Sequence, residues 1–255
     1  MISRLAGVVA VLLLLACGSW AEEQKVAPLK VLFITGGGYH DYKKQAPHLT
    51  GKIAELANVT FETKWDLAPM KDPKLGEGYD AIVYNLCFAQ EKDPTLIANA
   101  LKVTKEGKPT IMIHCTMHTF MASDDWTDCC GMRTRVHDPF QAFSATKAAP
   151  DHPIIKDFPE NWKTAGDELY QTIKFGESST ALLKVISPSS KKEHIVSWAS
   201  TYGKGKVFAT TLGHDMKTLG DADFLKHVAN GILWACDKLG KDGKPLPGYA
   251  GPGAK

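Results

Sequence analysis

Short apolar runs alternate with amphipathic stretches from residue 29 to residue 237. Residues 30–35 read K-V-L-F-I-T, a β-branched and aromatic run that stops at Gly36, Gly37 and Gly38, the pattern of a buried strand opening into a tight turn. Residues 47–57 place Leu49, Ile53, Leu56 and Ala57 on one face and predict a helix starting at Pro47. Strands are expected over 59–65 and 80–84, a helix over 94–105 with Pro94 at a favourable first position, and a strand over 109–114. This succession predicts a parallel sheet with helices on both faces. The middle is less regular: residues 124–130 predict a short helix, and 140–147, 169–175, 181–186 and 194–198 predict further strands. Residues 203–213 read as a turn feeding a long apolar strand, and a last helix over 223–237 carries Phe224, Val228, Ile232 and Leu233 as its inner stripe. No repeat or linker interrupts residues 29–237, so the expectation is one α/β domain.

Both ends depart from this pattern. Arg4 followed by an apolar run over residues 5–16 suits an export signal and is too short to span a bilayer comfortably. Two cuts fit: after Ser19-Trp20-Ala21, making residues 1–21 a signal peptide, or at the lipoprotein-like box Leu14-Leu15-Ala16-Cys17, leaving Cys17 lipid-anchored. The expected location is therefore periplasmic or extracellular, with no transmembrane helix in the mature chain. Residues 238–255, rich in Gly and Pro, predict a flexible tail.

Composition narrows the function classes. With 44% apolar residues and 23% charged, the 255-residue chain has enough apolar material to fold, and its formal net charge of +2, spread without basic runs, gives no case for nucleic acid. Beyond Cys17, the cysteines are Cys87, Cys115, Cys129, Cys130 and Cys236. An odd set cannot pair completely, adjacent Cys129 and Cys130 have Cα atoms only about 3.8 Å apart, and no CxxC pair is present. Most of them read as buried small hydrophobes.

In an open parallel sheet, ligands bind at the carboxyl ends of the strands. Three such ends carry histidines: Gly38-Tyr39-His40-Asp41, His114-Cys115-Thr116-Met117-His118, and Gly213-His214-Asp215. His137-Asp138 could join them. Neutral imidazole suits a divalent metal, zinc first, and His114, His118, His137 and His214 are the candidate ligands, with His114 and His118 sharing a helix face at i, i+4. Without metal, the same groups could serve as acid and base. Glu168, opening an apolar strand, is a further candidate. The glycine triplet lacks the later glycine of a dinucleotide fingerprint, and His48, His152, His194 and His227 read as structural. Gly37, Gly38, Tyr39, Phe120, Trp126 and Tyr170 are candidates to contact a sugar ring.

GGGYHDY after the first strand, IHCTMHTF after the fourth, DELY in the middle and YGKGKVFATTLGHD before a closing GILWA helix together resemble the ThuA-like, or trehalose-utilisation, family. The resemblance covers residues 29–237. It implies a fold similar to class I glutamine amidotransferases, a flavodoxin-like three-layer sandwich with a mostly parallel central sheet. It also implies a role in disaccharide and keto-sugar breakdown, with His40, His114, His118, Glu168, His214 and Asp215 on the motif positions. Cys129-Cys130-Gly131 departs from the glycine-rich segment that usually follows the tryptophan, here Trp126.

The amidotransferase likeness offers Cys115 as a nucleophile with His214 as base. A nucleophile elbow needs small flanking residues, whereas Cys115 stands between His114 and the β-branched Thr116. The expectation is an exported hydrolase or isomerase acting on a small saccharide or keto-sugar through a histidine-lined, metal-capable cleft. A non-catalytic sugar-binding protein and a cysteine-dependent hydrolase are the alternatives.

Overall fold

In the computed structural model, which describes residues 26–254, the chain winds a sheet in the order β2 (Val59–Trp65), β1 (Leu29–Gly37), β3 (Ala81–Cys87), β4 (Thr110–Ile113), β11 (Gly205–Thr210), β10 (Glu193–Tyr202), β9 (Thr180–Ile186), β6 (Ser144–Lys147), β7 (Trp162–Lys163). The first five are parallel, and from β11 onward the neighbours are antiparallel. The sheet is therefore mixed, with an antiparallel half that the expectation of a mostly parallel sheet understated. A separate pair, β5 (Met132–Arg133) with β8 (Lys174–Phe175), lies apart from it.

The central strands are apolar on both faces, as strands covered on both sides must be. On β1, Val31 and Phe33 enter one core while Leu32 and Ile34 enter the other, and β3 repeats this with Val83 against Ile82 and Tyr84. Helices α1 (Tyr42–Leu56), α4 (Met216–Leu219) and α5 (Ala222–Ala235) cover the first face, and α2 (Pro94–Lys105) and α3 (Asp124–Cys130) cover the second. Each fully buried Leu, Ile or Phe contributes ~1.5–3 kcal/mol. The strand order reverses between β1 and β3, so the chain leaving each carboxyl end turns to the opposite face of the sheet, α1 to one and α2 to the other, which opens a crevice there.

Several expectations are corrected. Helix α1 starts at Tyr42 rather than Pro47, because the Asp41 side chain caps it by accepting from the Lys44 N–H at 3.2 Å. Pro47 then sits inside the helix and removes one helical hydrogen bond, offset by burial of Leu49 and Ile53. The strand expected over 169–175 is reduced to a single bridge from Tyr170 to His137 and the short β8. The strand expected over 140–147 begins only at Ser144, since Gln141 makes one isolated bridge to Asp167 instead of continuing a ladder.

The expected flexible tail is also corrected. Asn58 N–H donates to the Tyr249 carbonyl at 2.9 Å, Gly251 N–H donates to Leu56, and Ala57 bridges Ala250. A Cβ on Gly251 would stand 2.5 Å from the Glu55 carbonyl oxygen, so glycine there serves close approach to the end of α1 rather than flexibility. The signal-peptide reading of residues 1–21 and the Cys17 anchor lie outside the described residues. Among the described residues, no helix is long and apolar enough to cross a membrane.

Candidate functional site

Three strand ends deliver the site. After β1, Gly36 and Gly37 take φ of +139° and +108°, and the chain turns to present His40 just before α1. After β4, His114 takes φ +51°, an uncommon left-handed conformation for a residue with a side chain, and opens a 3-10 turn over His114–His118. After β11, Gly213 at φ +115° swings the chain so that His214 faces the other two. The rings of His40 lie 4.8 Å from both His114 and His214, and His114 lies 5.5 Å from His214.

Asp167, fully buried, organises the opposite wall. Its carboxylate accepts from the N–H groups of Gly213 at 2.8 Å, Glu168 at 2.8 Å and His214 at 3.2 Å. This fixes the loop after β11 to the segment that carries Glu168. Glu168 Oε2 then lies 3.1 Å from His214 Nδ1 and 3.6 Å from His114 Nε2, while Oε1 lies 3.6 Å from His137 Nε2. Burial alone would raise the Glu168 carboxyl, but the adjacent imidazoles of His114 and His214 outweigh it and hold the group far below the usual carboxylate range. His114 is shifted the other way: burial opposes its charge, yet Glu168 and Asp167 raise its pKa. Its Nδ1 is 2.6 Å from the Thr211 carbonyl and therefore carries the hydrogen, which leaves Nε2 facing Glu168.

Cys115, buried against Tyr42 and Cys87, lies beneath the histidines. The neighbouring Cys87 thiol, against the opposing effect of burial, and the nearby imidazoles of His118 and His40 hold its thiol well below its ordinary value. The elbow conformation nevertheless belongs to His114, so Cys115 does not occupy the exposed, strained position of an elbow nucleophile.

Some sequence candidates fall elsewhere. His118 does not share a face with His114: at three residues per turn, positions four apart diverge by about 120°. Its ring stacks instead on Tyr170, 4.4 Å between centroids and 10° between planes. His137 contacts Glu168 and Tyr170 but stands outside the trio. Trp126 is not a sugar platform, being 1% exposed and packed against Tyr84 and Phe120, with its indole N–H donating to the Thr116 carbonyl. Phe120 is likewise buried. A Cβ on Gly37 would meet the Cys87 carbonyl oxygen at 2.2 Å, so this glycine serves the contact between β1 and β3 rather than a ligand; Gly38 has open space around it. Asp215 caps α4 by accepting from the Lys217 N–H at 2.8 Å. Tyr170 is buried with its hydroxyl 3.4 Å from His114 Nε2, and Tyr39 is 60% exposed at the rim. Cys129 and Cys130 are buried in the core on the second face of the sheet, and Gly131 ends α3 in a left-handed conformation.

Sequence reasoning missed Asp167 as an organiser, the Thr211 carbonyl, and Phe140, whose ring lies 5.2 Å from that of His214. The adjacent acids of the DELY motif were the available signal for Asp167. The histidines read as structural each have such a partner: His48 donates to the Leu219 carbonyl, His152 accepts from Ile154 N–H, His194 accepts from Thr172 N–H, and His227 bonds Ser197. A broad surface cleft lined by Lys102, Gly107 and Pro109 opens at the amino edge of the sheet, away from this chemistry.

Fold and site together define an α/β protein with a histidine–carboxylate site on the carboxyl edge of its parallel strands. Residues 30–235 match the family described as ThuA, trehalose utilisation, and the chain belongs to that family. Among solved structures, a ThuA-like protein from Parabacteroides merdae ATCC 43184 is similar with a TM-score of 0.72 at 17% identity, over 88% of this chain and 97% of that one. A ThuA-like protein from Bacteroides uniformis ATCC 8492 gives 0.68 at 14%, over 82% and 92%. A β-galactosidase from Rahnella sp. R3 gives 0.56 at 13%, over 80% of this chain but 31% of that one. At these identities the likeness is one of fold. No curated protein matches the sequence.

Proposed function

We propose that this protein is an exported enzyme that acts as a hydrolase or isomerase on a small saccharide or keto-sugar held at the His40, His114, His214 and Glu168 site. The observation that carries this reading is the Glu168 carboxylate, placed between His114, His137 and His214 beside the Tyr170 hydroxyl. The trehalose-utilisation family supplies the substrate class, and Arg4 with the apolar run over residues 5–16 supports export.

A carboxylate held so strongly ionised is a poor proton acceptor, because efficient acid–base catalysis needs a pKa near the working pH. Imidazole meets that requirement, so Glu168 orients the His114 and His214 rings while the imidazoles move the protons. In an isomerisation one imidazole takes a proton from the carbon beside a carbonyl and another hydrogen-bonds the carbonyl oxygen; in a hydrolysis one activates water and another protonates the leaving oxygen. Exposed Tyr39 and partly exposed Phe140 offer rim faces for a pyranose. The parallel half of the sheet, in the order 2-1-3-4 followed by β11, supports the flavodoxin-like description of that half.

The test is calorimetric binding and product analysis by NMR against trehalose, other disaccharides and their keto derivatives. Binding with turnover that is lost in His214→Ala supports the reading. Absence of binding to every saccharide at millimolar concentration overturns it, and binding without turnover leaves a sugar-binding protein in its place.

A further inference from the structure

We infer that His40, His114 and His214, with the Glu168 carboxylate beside them, form a binding site for one divalent transition-metal ion, Zn²⁺ fitting best. The inference rests on the reading of this pocket as the functional site: with the ion bound, the three imidazoles are its ligands rather than proton carriers, and the ion would polarise a sugar carbonyl or activate water in their place. It replaces the ligand set expected from spacing. His118 and His137 leave the set, and His40 enters it.

Four observations support it. One ligand atom from each of the three histidines lies within 4.8 Å of the others. Nitrogens bound to zinc at ~2.1 Å in a tetrahedral site stand about 3.4 Å apart, so rotation of side chains by roughly an ångström closes the set. His40 Nε2 is buried with no hydrogen-bond partner, an arrangement that costs free energy unless another group engages it. His114 Nδ1 donates to the Thr211 carbonyl, the outer contact that fixes a metal-binding imidazole and turns its Nε2 lone pair inward.

The fourth observation is the placement of two carboxyl groups beside the trio. Glu168 lies largely buried among the imidazoles, and Asp167 lies fully buried behind it, tied to backbone N–H groups. A cation at the centre of the trio would face these oxygen atoms and bind all three nitrogens at once. Glu168 serves either as the fourth ligand or as the partner of His214 Nδ1, in which case it directs His214 Nε2 to the metal. Imidazole with a carboxylate suits zinc and its neighbours rather than calcium or magnesium, which take oxygen ligands. Gln45, which donates to the His214 carbonyl at 2.9 Å, further limits how far that loop can move.

The experiment uses the full mature chain made without a histidine tag. Elemental analysis is combined with titration by Zn²⁺ and by Co²⁺, the latter read by its visible absorption, in competition with a chelator. The expected result is one equivalent of metal, visible bands of low-coordinate Co²⁺, and a melting temperature that rises with Zn²⁺ concentration by mass action. His40→Ala and His214→Ala should each weaken binding by at least ~100-fold, beyond the ~10–100-fold caused by losing an outer contact. His118→Ala should bind as the parent does. Equal binding in all three variants, or loss only in His118→Ala, overturns the assignment. If the alanine variants fail to fold, the parent still decides: no Co²⁺ bands and no rise in melting temperature up to millimolar Zn²⁺ overturn the site. Saccharide binding is measured on metal-free and metal-loaded protein separately. Metal without saccharide binding removes the proposed function alone, and saccharide binding without metal removes this inference alone.

Discussion

Glu168 Oε2 lies 3.1 Å from His214 Nδ1, joining a residue of the central loops to the turn that follows β11. The two are far apart in sequence, and Asp167 holds them in register by accepting N–H bonds from both segments. The contact places the Nδ1 edge of the His214 ring against the carboxylate, so Nε2 is the nitrogen on the opposite edge.

Glu168→Gln keeps the shape and removes the charge. It should lower kcat/KM on the saccharide substrate by ~10²–10³, the range expected when positioned acid–base groups lose their orientation. Circular dichroism should stay unchanged. Activity within a few-fold of the parent would show that Glu168 does not act on the histidines.

Cys115→Ser should retain most of the activity. The left-handed elbow residue after β4 is His114, and Cys115 lies below it at 5% exposure, packed on Cys87 and Tyr42. The measurement is steady-state turnover together with mass spectrometry of protein quenched during reaction. Complete loss with a covalent adduct on Cys115 of the parent would establish the cysteine mechanism instead.

Gly37→Ala should destabilise the fold by more than ~2 kcal/mol, because the new methyl group meets the Cys87 carbonyl oxygen at a left-handed φ. Gly38→Ala, next in the chain and surrounded by open space, should leave the denaturation midpoint close to that of the parent. Urea unfolding of both variants checks the pair. Equal midpoints would mean that β1 and β3 can separate without loss.

His227, 1% exposed between Phe158 and Phe208, has its pKa lowered from the ordinary value of about 6.5 to about 3, first by burial. Between these values the unfolded chain binds a proton that the folded chain refuses, so stability falls as pH drops, by up to ~1.4 kcal/mol per unit from this group. Above about pH 6.5 the group is neutral in both states and adds no slope. His227→Gln should flatten the acid limb of a stability profile measured by thermal or urea melts from pH 7 to 4. An unchanged limb would assign acid sensitivity to other groups.

Local pattern determined much of this protein. A continuous apolar run, as a strand covered on both faces requires, marks β1 and β3 wherever they are placed, and α2 and α3 run over the same residues in the chain pattern and in space, since Pro94 and Gly131 mark an end of each. The carboxyl-edge location of His40, His114 and His214 followed from the same pattern, because each sits directly after a strand. Tertiary structure decided which of them meet. The i, i+4 spacing of His114 and His118 implied a shared face only if the turn were α-helical, and the 3-10 geometry sends His118 to Tyr170. Spacing also carried no signal that Asp167 would tie the Glu168 segment to the loop after β11, since hydrogen bonds to backbone N–H groups do not depend on which side chains follow. Aromatic and glycine positions were ambiguous for the same reason: Trp126 and Gly37 are chemically fit for a ligand, and only the packing of Tyr84 and the Cys87 carbonyl against them makes them structural. Short-range order is written in sequence periodicity, whereas the meeting of distant side chains depends on the path of the backbone between them.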